Sequence, residues 1–213
     1  MKYSQSFCAI NTFNSIDILD KLIKNGTKHI HIDFMDGYFV DNFGATYQQV
    51  EFLIKRYPNV HFDAHLMLEK PLNFINKLVN LGFHTIFLPS ESVNIKIFKQ
   101  LLNDYPTTTF GIMIEAKDHP KDFVEIINLS TKILVMTINI IGGTGQELNL
   151  TLLNKVKEIK EIKHNIIVFS DGGLRKHNAK DFYINKVDIA VGGSIIFSFE
   201  KIKEFSTWWK ENF

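Results

Sequence analysis

The stretch His31-Ile-Asp-Phe-Met-Asp-Gly-Tyr-Phe-Val-Asp-Asn42 begins as a strand and runs into a loop. Side chains two apart in a strand share one side. His31, Asp33 and Met35 therefore lie on one face, with Ile32 and Phe34 on the other. Charge in a core strand is costly unless it is paired or metal-bound. The His/Asp couple thus reads as metal ligands or an acid/base pair, with a structural ion pair as the alternative. Asp63-Ala-His65-Leu-Met67 repeats the theme after the apolar Val60 and Phe62. Ile166-Ile-Val-Phe-Ser-Asp171-Gly-Gly173 repeats it again, with the aspartate at the strand's end. His31, Asp33, His65 and Asp171 fall at the C-terminal ends of three expected strands, too systematic a placement for chance.

Outward from these segments, short β-branched or aromatic runs recur at the spacing of successive β/α units. Strands are expected near Tyr3–Ala9, His29–Phe34, Val60–Leu66, Thr85–Pro89, Thr108–Ile114, Ile133–Ile138, Ile166–Ser170 and Asp188–Gly192. Between them lie apolar stripes of helical period, such as Ile16-Leu19-Leu22-Ile23 and Leu152-Leu153-Val156-Ile159, and Gly26, Gly82 and Asn103 fall where helices should stop. Eight strands alternating with helices are the count of an α/β (β/α)8 TIM barrel, whose active sites lie at the C-terminal strand ends. A doubly wound open sheet would need fewer strands and a switch point. No linker or charge block divides the chain, so residues 1–213 are expected to form a single domain.

The bulk numbers exclude several classes. With 213 residues, 45% of them hydrophobic and 22% charged, the composition is that of an ordinary globular protein. A net charge of +1 without a basic stripe argues against nucleic-acid binding, and the mixed-charge run Lys155 to Lys163 reads as a solvated helix face. The single Cys8 rules out an internal disulfide framework and fits a reducing compartment. With no signal-peptide pattern and no apolar run long enough for a bilayer, the protein is expected in the cytoplasm and off the membrane.

Glycine-bearing turns follow the last three strands: Ile141-Gly-Gly-Thr-Gly-Gln146, Gly172-Gly173 and Gly192-Gly193-Ser194. Glycine lets backbone N–H groups converge on an anion, and barrels commonly build a phosphate site from the loops after strands seven and eight. One Gly-Gly is only a tight turn. Three on one rim, beside a metal-type cluster, favour a phosphorylated substrate, and such a site needs no lysine or arginine.

These residues resemble the ribulose-phosphate 3-epimerase family over nearly the whole chain. The matching motifs are His31-Ile-Asp33-Phe-Met35-Asp36-Gly37-Tyr-Phe39-Val40 with Asn42, then His65-Leu66-Met67 followed by Pro71. Val135-Met136-Thr137-Ile138-Asn139 with Gly143 and Gln146, Asp171-Gly172-Gly173, and Gly193-Ser194 with Phe197 complete the set. The resemblance implies one divalent metal ion (Zn, Fe, Mn or Co) held by His31, Asp33, His65 and Asp171. It implies Asp33 and Asp171 as the acid/base pair that inverts C3 of a ketose phosphate, D-ribulose 5-phosphate to D-xylulose 5-phosphate, through an enediolate. Met35, Met67 and Met136 would line the substrate, with Ser6 close by. Gly142, Gly143, Gly145, Gly172, Gly173, Gly193 and Ser194 would form the phosphate end. Asp36 would orient a metal ligand.

The chain departs from the family pattern around the rim. Gln5-Ser6 stands for Pro-Ser, Asp41 for a proline, Pro89-Ser90-Glu91 for His-x-Glu and Glu115-Ala-Lys-Asp118 for Asn-Pro and Thr, while the Asn139–Gln146 loop is one residue longer. None of these changes removes an implied ligand. They leave open a six-carbon substrate such as allulose 6-phosphate, and a non-catalytic barrel that binds sugar phosphate. Related decarboxylases and synthases use an Asp-x-Lys-x-x-Asp arrangement, and His31–Asp36 contains no lysine. His29 reads as a residue of the closed barrel end, and His61, His84, His119, His164 and His177 as surface residues. Trp208, Trp209 and Phe213 are expected to pack on the barrel or to cover a homo-oligomer interface.

Overall fold

The computed structural model describes residues 1–143 and 145–213; Thr144, inside the expected glycine turn, lies outside the described residues. Eight parallel strands close into one barrel: β1 (Lys2–Ser6), β2 (His29–Met35), β3 (His61–Met67), β4 (Thr85–Pro89), β5 (Thr109–Ile114), β6 (Lys132–Met136), β7 (Ile167–Asp171) and β8 (Ile189–Gly192). Every strand pairs with its sequence neighbour, and β8 returns to β1 through Lys2↔Ile189 and Tyr3↔Ala190. The eight expected strands all form. β4 matches its expected bounds and the ends of the others move by at most three residues, because where a ladder ends depends on the partner strand's register.

Helices α1 (Ser15–Lys24), α2 (Tyr47–Arg56), α3 (Ile75–Leu81), α4 (Ile95–Asp104), α5 (Val124–Leu129), α6 (Asn154–Ile162), α7 (Ala179–Ile184) and α8 (Ile202–Asn212) supply the crossovers. α2 opens with a capping box in which Thr46 and Gln49 satisfy each other's backbone N–H groups. α3 ends at Gly82 in a left-handed turn, φ 102°. No helix of the described residues is long and apolar enough to cross a membrane.

Alternation along the strands divides the core in two. Outward residues such as Ile30, Ile32, Ile86, Ile112, Ile133 and Val168 pack with Leu19, Leu22, Phe98 and Val156 of the helices. Inward residues Met67, Phe87, Met113, Leu134, Met136, Phe169, Ile189 and Val191 form a separate cluster inside the barrel. There the Phe87 and Phe169 rings meet edge-on with centroids 5.0 Å apart. Gly111 is small because a Cβ there would come within 3.0 Å of the Phe87 ring and 2.3 Å of the Lys132 carbonyl.

Two expectations about faces resolve here. Trp209 is buried against Tyr3 and Phe205, and Trp208 packs on Phe199 and Phe213, so this aromatic group covers the chain's own barrel. The Lys155–Lys163 run is not simply a solvated face. Lys155 is largely buried, and its ammonium donates to the carbonyls of Glu115, Ala116 and Asp118. Lys160 pairs with Asp188 at 2.7 Å, and Lys163 caps the carbonyls of Asn128 and Ser130. Orphan carbonyls at the ends of neighbouring elements, invisible in a charge pattern, are what recruit these lysines.

Candidate metal centre and substrate cavity

Register sets the centre. β2 and β3 align His31 with Asp63 and Asp33 with His65, so two histidines and two aspartates alternate across adjacent strands on the inner wall. β7 brings Asp171 to the same level from the other side. Ligand atoms of His31, Asp33, His65 and Asp171 all lie within 4.8 Å of one another. His31 Nε2 is 3.3 Å from His65 Nδ1 and 3.3 Å from Asp33 Oδ1. Asp33 Oδ1 is 3.1 Å from His65 Nδ1, and Asp171 Oδ2 is 3.8 and 3.7 Å from the two imidazole nitrogens. Four donors about 2.1 Å from a shared ion in tetrahedral array would stand about 3.4 Å apart. Two ring nitrogens turned toward each other and two carboxylates at these separations therefore fit a single divalent cation.

The supports around the four residues are specific. His31 Nδ1 donates to Asp63 Oδ1, fixing the ring with Nε2 toward the centre. His65 Nε2 faces the Met113 sulfur at 2.8 Å, leaving Nδ1 for the centre. Ser6 Oγ donates to Asp33 Oδ2 at 3.0 Å. Burial alone would push the Asp33 carboxyl up, but His31 and His65 beside it hold it well below the usual carboxylate range. Asp171 moves the opposite way: its burial, with Asp33 adding repulsion, outweighs the two histidines and raises it.

Above this floor lies a cavity of about 540 Å3 at the C-terminal ends of the strands. Asp33, Asp171, Ser6, Met35, Met67 and Met136 face it, while His31 and His65 are wholly buried beneath. Gly142, Gly143, Gly145, Gly172, Gly173, Gly193 and Ser194 form its far wall, so all the residues singled out for the phosphate end are brought together. Gly172 and Gly173 have φ of 102° and 75°, and a Cβ on Gly172 would come within 2.7 Å of Ile138. The loops after β2 and β6 are joined where Asn42 Nδ2 donates to the Gly142 carbonyl at 2.8 Å.

Asp36 does not reach the centre. Its carboxylate accepts from the backbone N–H groups of Tyr38, Phe39 and Glu69 and so folds the loop after β2. The orienting contact expected of it is made by Asp63. Asp63 shares the strand parity of His65, a visible signal, but its partnership with His31 depends on a register that one chain segment does not disclose. Arg175, which no local pattern marks, also lines the cavity, two residues beyond Gly173. The altered segments after β4 and β5 meet each other outside the cavity wall, where Lys117 bridges Glu91 at 2.8 Å and Glu115 at 3.3 Å. Burial raises the Glu115 carboxyl.

Comparison with known proteins agrees with this geometry. A model of the "Ribulose-phosphate 3 epimerase family" matches residues 2–197. The chain is 28% identical over 187 residues to a ribulose-phosphate 3-epimerase of Aquifex aeolicus, covering 85% of this chain and 82% of that protein. It is 26% identical over 180 residues to the Bacillus subtilis protein of the same name, covering 82% of each. Among solved structures it is similar to a 3-hexulose-6-phosphate synthase, with a TM-score of 0.71 at 13% identity, covering 100% of this chain and 99% of that one. It is also similar to a phosphoribosyl anthranilate isomerase from Thermus thermophilus, with a TM-score of 0.71 at 9% identity and 99% of both chains covered. At such identities the two structures speak for the barrel alone.

Proposed function

The chain belongs to the ribulose-phosphate 3-epimerase family of isomerases, and from that premise we propose that it inverts C3 of a ketose phosphate, D-ribulose 5-phosphate to D-xylulose 5-phosphate. The observation that carries the reading is the convergence of His31, Asp33, His65 and Asp171 at the floor of a cavity whose far wall is glycine-rich. The two histidines and two aspartates would hold one divalent ion, Zn, Fe, Mn or Co. When bound, the ion supplies Lewis-acid stabilisation of the negative charge that develops beside the ketone, worth several kcal/mol.

The rest of the chemistry belongs to the protein. Inversion needs a proton removed from one face of C3 and another returned to the opposite face. Asp33 and Asp171 both front the cavity and come from strands three places apart round the barrel. Their environments drive them in opposite directions, His31 and His65 lowering the Asp33 carboxyl and burial raising that of Asp171. That is the division an acid/base pair requires. Ser6 donates to the Asp33 carboxylate, so the base does not have to be ordered during the reaction. Met35, Met67 and Met136 exclude water and offer polarizable sulfur beside a diffuse enediolate. The backbone at Gly172, Gly173, Gly193 and Ser194 would take the phosphate. A phosphorylated ketose is an intracellular compound, which supports a cytoplasmic location.

Proton NMR of D-ribulose 5-phosphate in D2O with metal-loaded protein tests the proposal. The C3 proton signal should disappear as xylulose 5-phosphate appears. Exchange only with a six-carbon ketose phosphate would change the substrate and keep the chemistry. Saturable binding without any exchange, unaffected by Asp171→Asn, would replace the enzyme with a sugar-phosphate-binding barrel.

A further inference from the structure

We infer that Arg175 is the side chain that binds the substrate's phosphate and selects for phosphorylated ketoses, an inference that rests on the ketose-phosphate reading above. Among the described residues it is the single lysine or arginine on the cavity wall. The carboxyl groups lining the same cavity are those of Asp33 and Asp171, on its floor. A phosphate dianion entering this cavity meets one fixed protein cation, and it stands at the glycine-rich end, two residues beyond Gly173.

The position is built, not incidental. The Arg175 backbone N–H donates to Asn178 Oδ1 at 2.8 Å, and Asn178 Nδ2 donates to the Gly173 carbonyl at 2.8 Å. A buried asparagine thereby fixes the arginine relative to the glycine turn. The guanidinium donates to the carbonyls of Leu174 at 2.9 Å and Gln146 at 3.1 Å. It makes no ion pair among the described residues, and two of its five N–H donors are accounted for by those carbonyls. The comparison with Arg56 is informative, because these are the only two arginines in a lysine-rich chain. Arg56 spends its fork on the Asp20 carboxylate through Nε and Nη2. Arg175 has the same fork, held in place by neutral acceptors, with its charge unmatched. A planar fork suits two oxygens of one phosphate, where lysine would offer a point charge.

The competing role is mechanical, since the Gln146 contact also ties the loop after β6 to the loop after β7. Titration calorimetry with inorganic phosphate, using the metal-loaded wild type, Arg175→Gln and Arg175→Lys, separates the two. Phosphate should bind about 10- to 100-fold more weakly to Arg175→Gln, with partial recovery in Arg175→Lys. In kinetics the same Arg175→Gln change should raise KM for the phosphorylated ketose by a similar factor and leave kcat within about threefold. Turnover of unphosphorylated D-ribulose should fall by a much smaller factor than kcat/KM for the phosphorylated ketose. Wild-type phosphate affinity in Arg175→Gln would overturn the inference, as would parallel loss of Tm, kcat and turnover of the unphosphorylated sugar. If the wild type binds phosphate through Arg175 but exchanges no C3 proton, the phosphate site stands and the epimerase reading falls.

Discussion

Strands β2 and β3 carry two histidine pairs, one above the other on the inner wall, and the β2 histidines of the two pairs are driven in opposite directions. His29 and His61 lie opposite each other at the start of the strands, stacked with centroids 5.0 Å apart and planes 22° apart. They border a hollow of about 460 Å3 at the N-terminal end of the barrel, lined also by Lys2, Lys28 and Lys210 and, among the described residues, by no carboxylate side chain. Burial, His61 and Lys2 push the His29 imidazole down to about 4. One turn of the pleat higher, His31 and His65 are wholly buried with centroids 5.3 Å apart, tilted by 49°. Burial would depress His31 too, but Asp63 and Asp33 reverse the effect and raise it well above the usual imidazole range. The residue type is the same; the neighbours decide whether a histidine pair is a poor cation site or a strong one.

The comparison breaks most sharply under substitution of the upper pair against the lower. His65→Ala should abolish stoichiometric metal binding, measured by elemental analysis after gel filtration, and lower kcat/KM about a thousandfold or more. His61→Ala should leave both unchanged and shift stability by no more than about 0.5 kcal/mol. Equal metal loss in the two variants would erase the distinction. A finer probe is Asp63→Asn, which keeps all four ligands but weakens the support of His31. Metal affinity by competition with a chelator should fall about 10- to 100-fold.

The smallest expected effect concerns the lower pair alone. His29 is held below its unfolded value of about 6.5, so the folded chain binds the proton less readily than the unfolded chain. Stability contributed by its neutral form is present above pH 6.5 and is lost as pH falls from there through about 4. His29→Gln should therefore flatten this limb of a pH series of urea midpoints, by about 1 kcal/mol at pH 4 once its partial exposure is allowed for. An unchanged limb would mean that the imidazole is as well solvated in the fold as out of it.

The sequence made much of the site legible because barrel strands have period two. His31 and Asp33, or Asp63 and His65, must share a wall whatever the partner strand does, and Asp171 before Gly172-Gly173 must lie at a strand's exit. Met35 and Met67 share that parity, whereas Met136 was marked only by the family resemblance. Asp36 and Asp63 show where that reasoning stops. Both are aspartates beside ligand positions, and local pattern favoured Asp36, which sits in the motif itself. The loop after β2 turns its carboxylate onto backbone N–H groups, while the β2/β3 register sets Asp63 beside His31. Lys155 and Arg175 were missed for a related reason: a long basic side chain is placed by carbonyls that come from distant loops.

The sequence by itself determined the alternation of eight strands and helices, the faces of those strands and the kinds of donor at their ends, since these follow from short-range periodicity and side-chain chemistry. Only the tertiary structure decided which donors meet. Closing the barrel sets the β2/β3 register and carries β7 round to the same level, and a displacement of one residue in either would turn a ligand to the outer face.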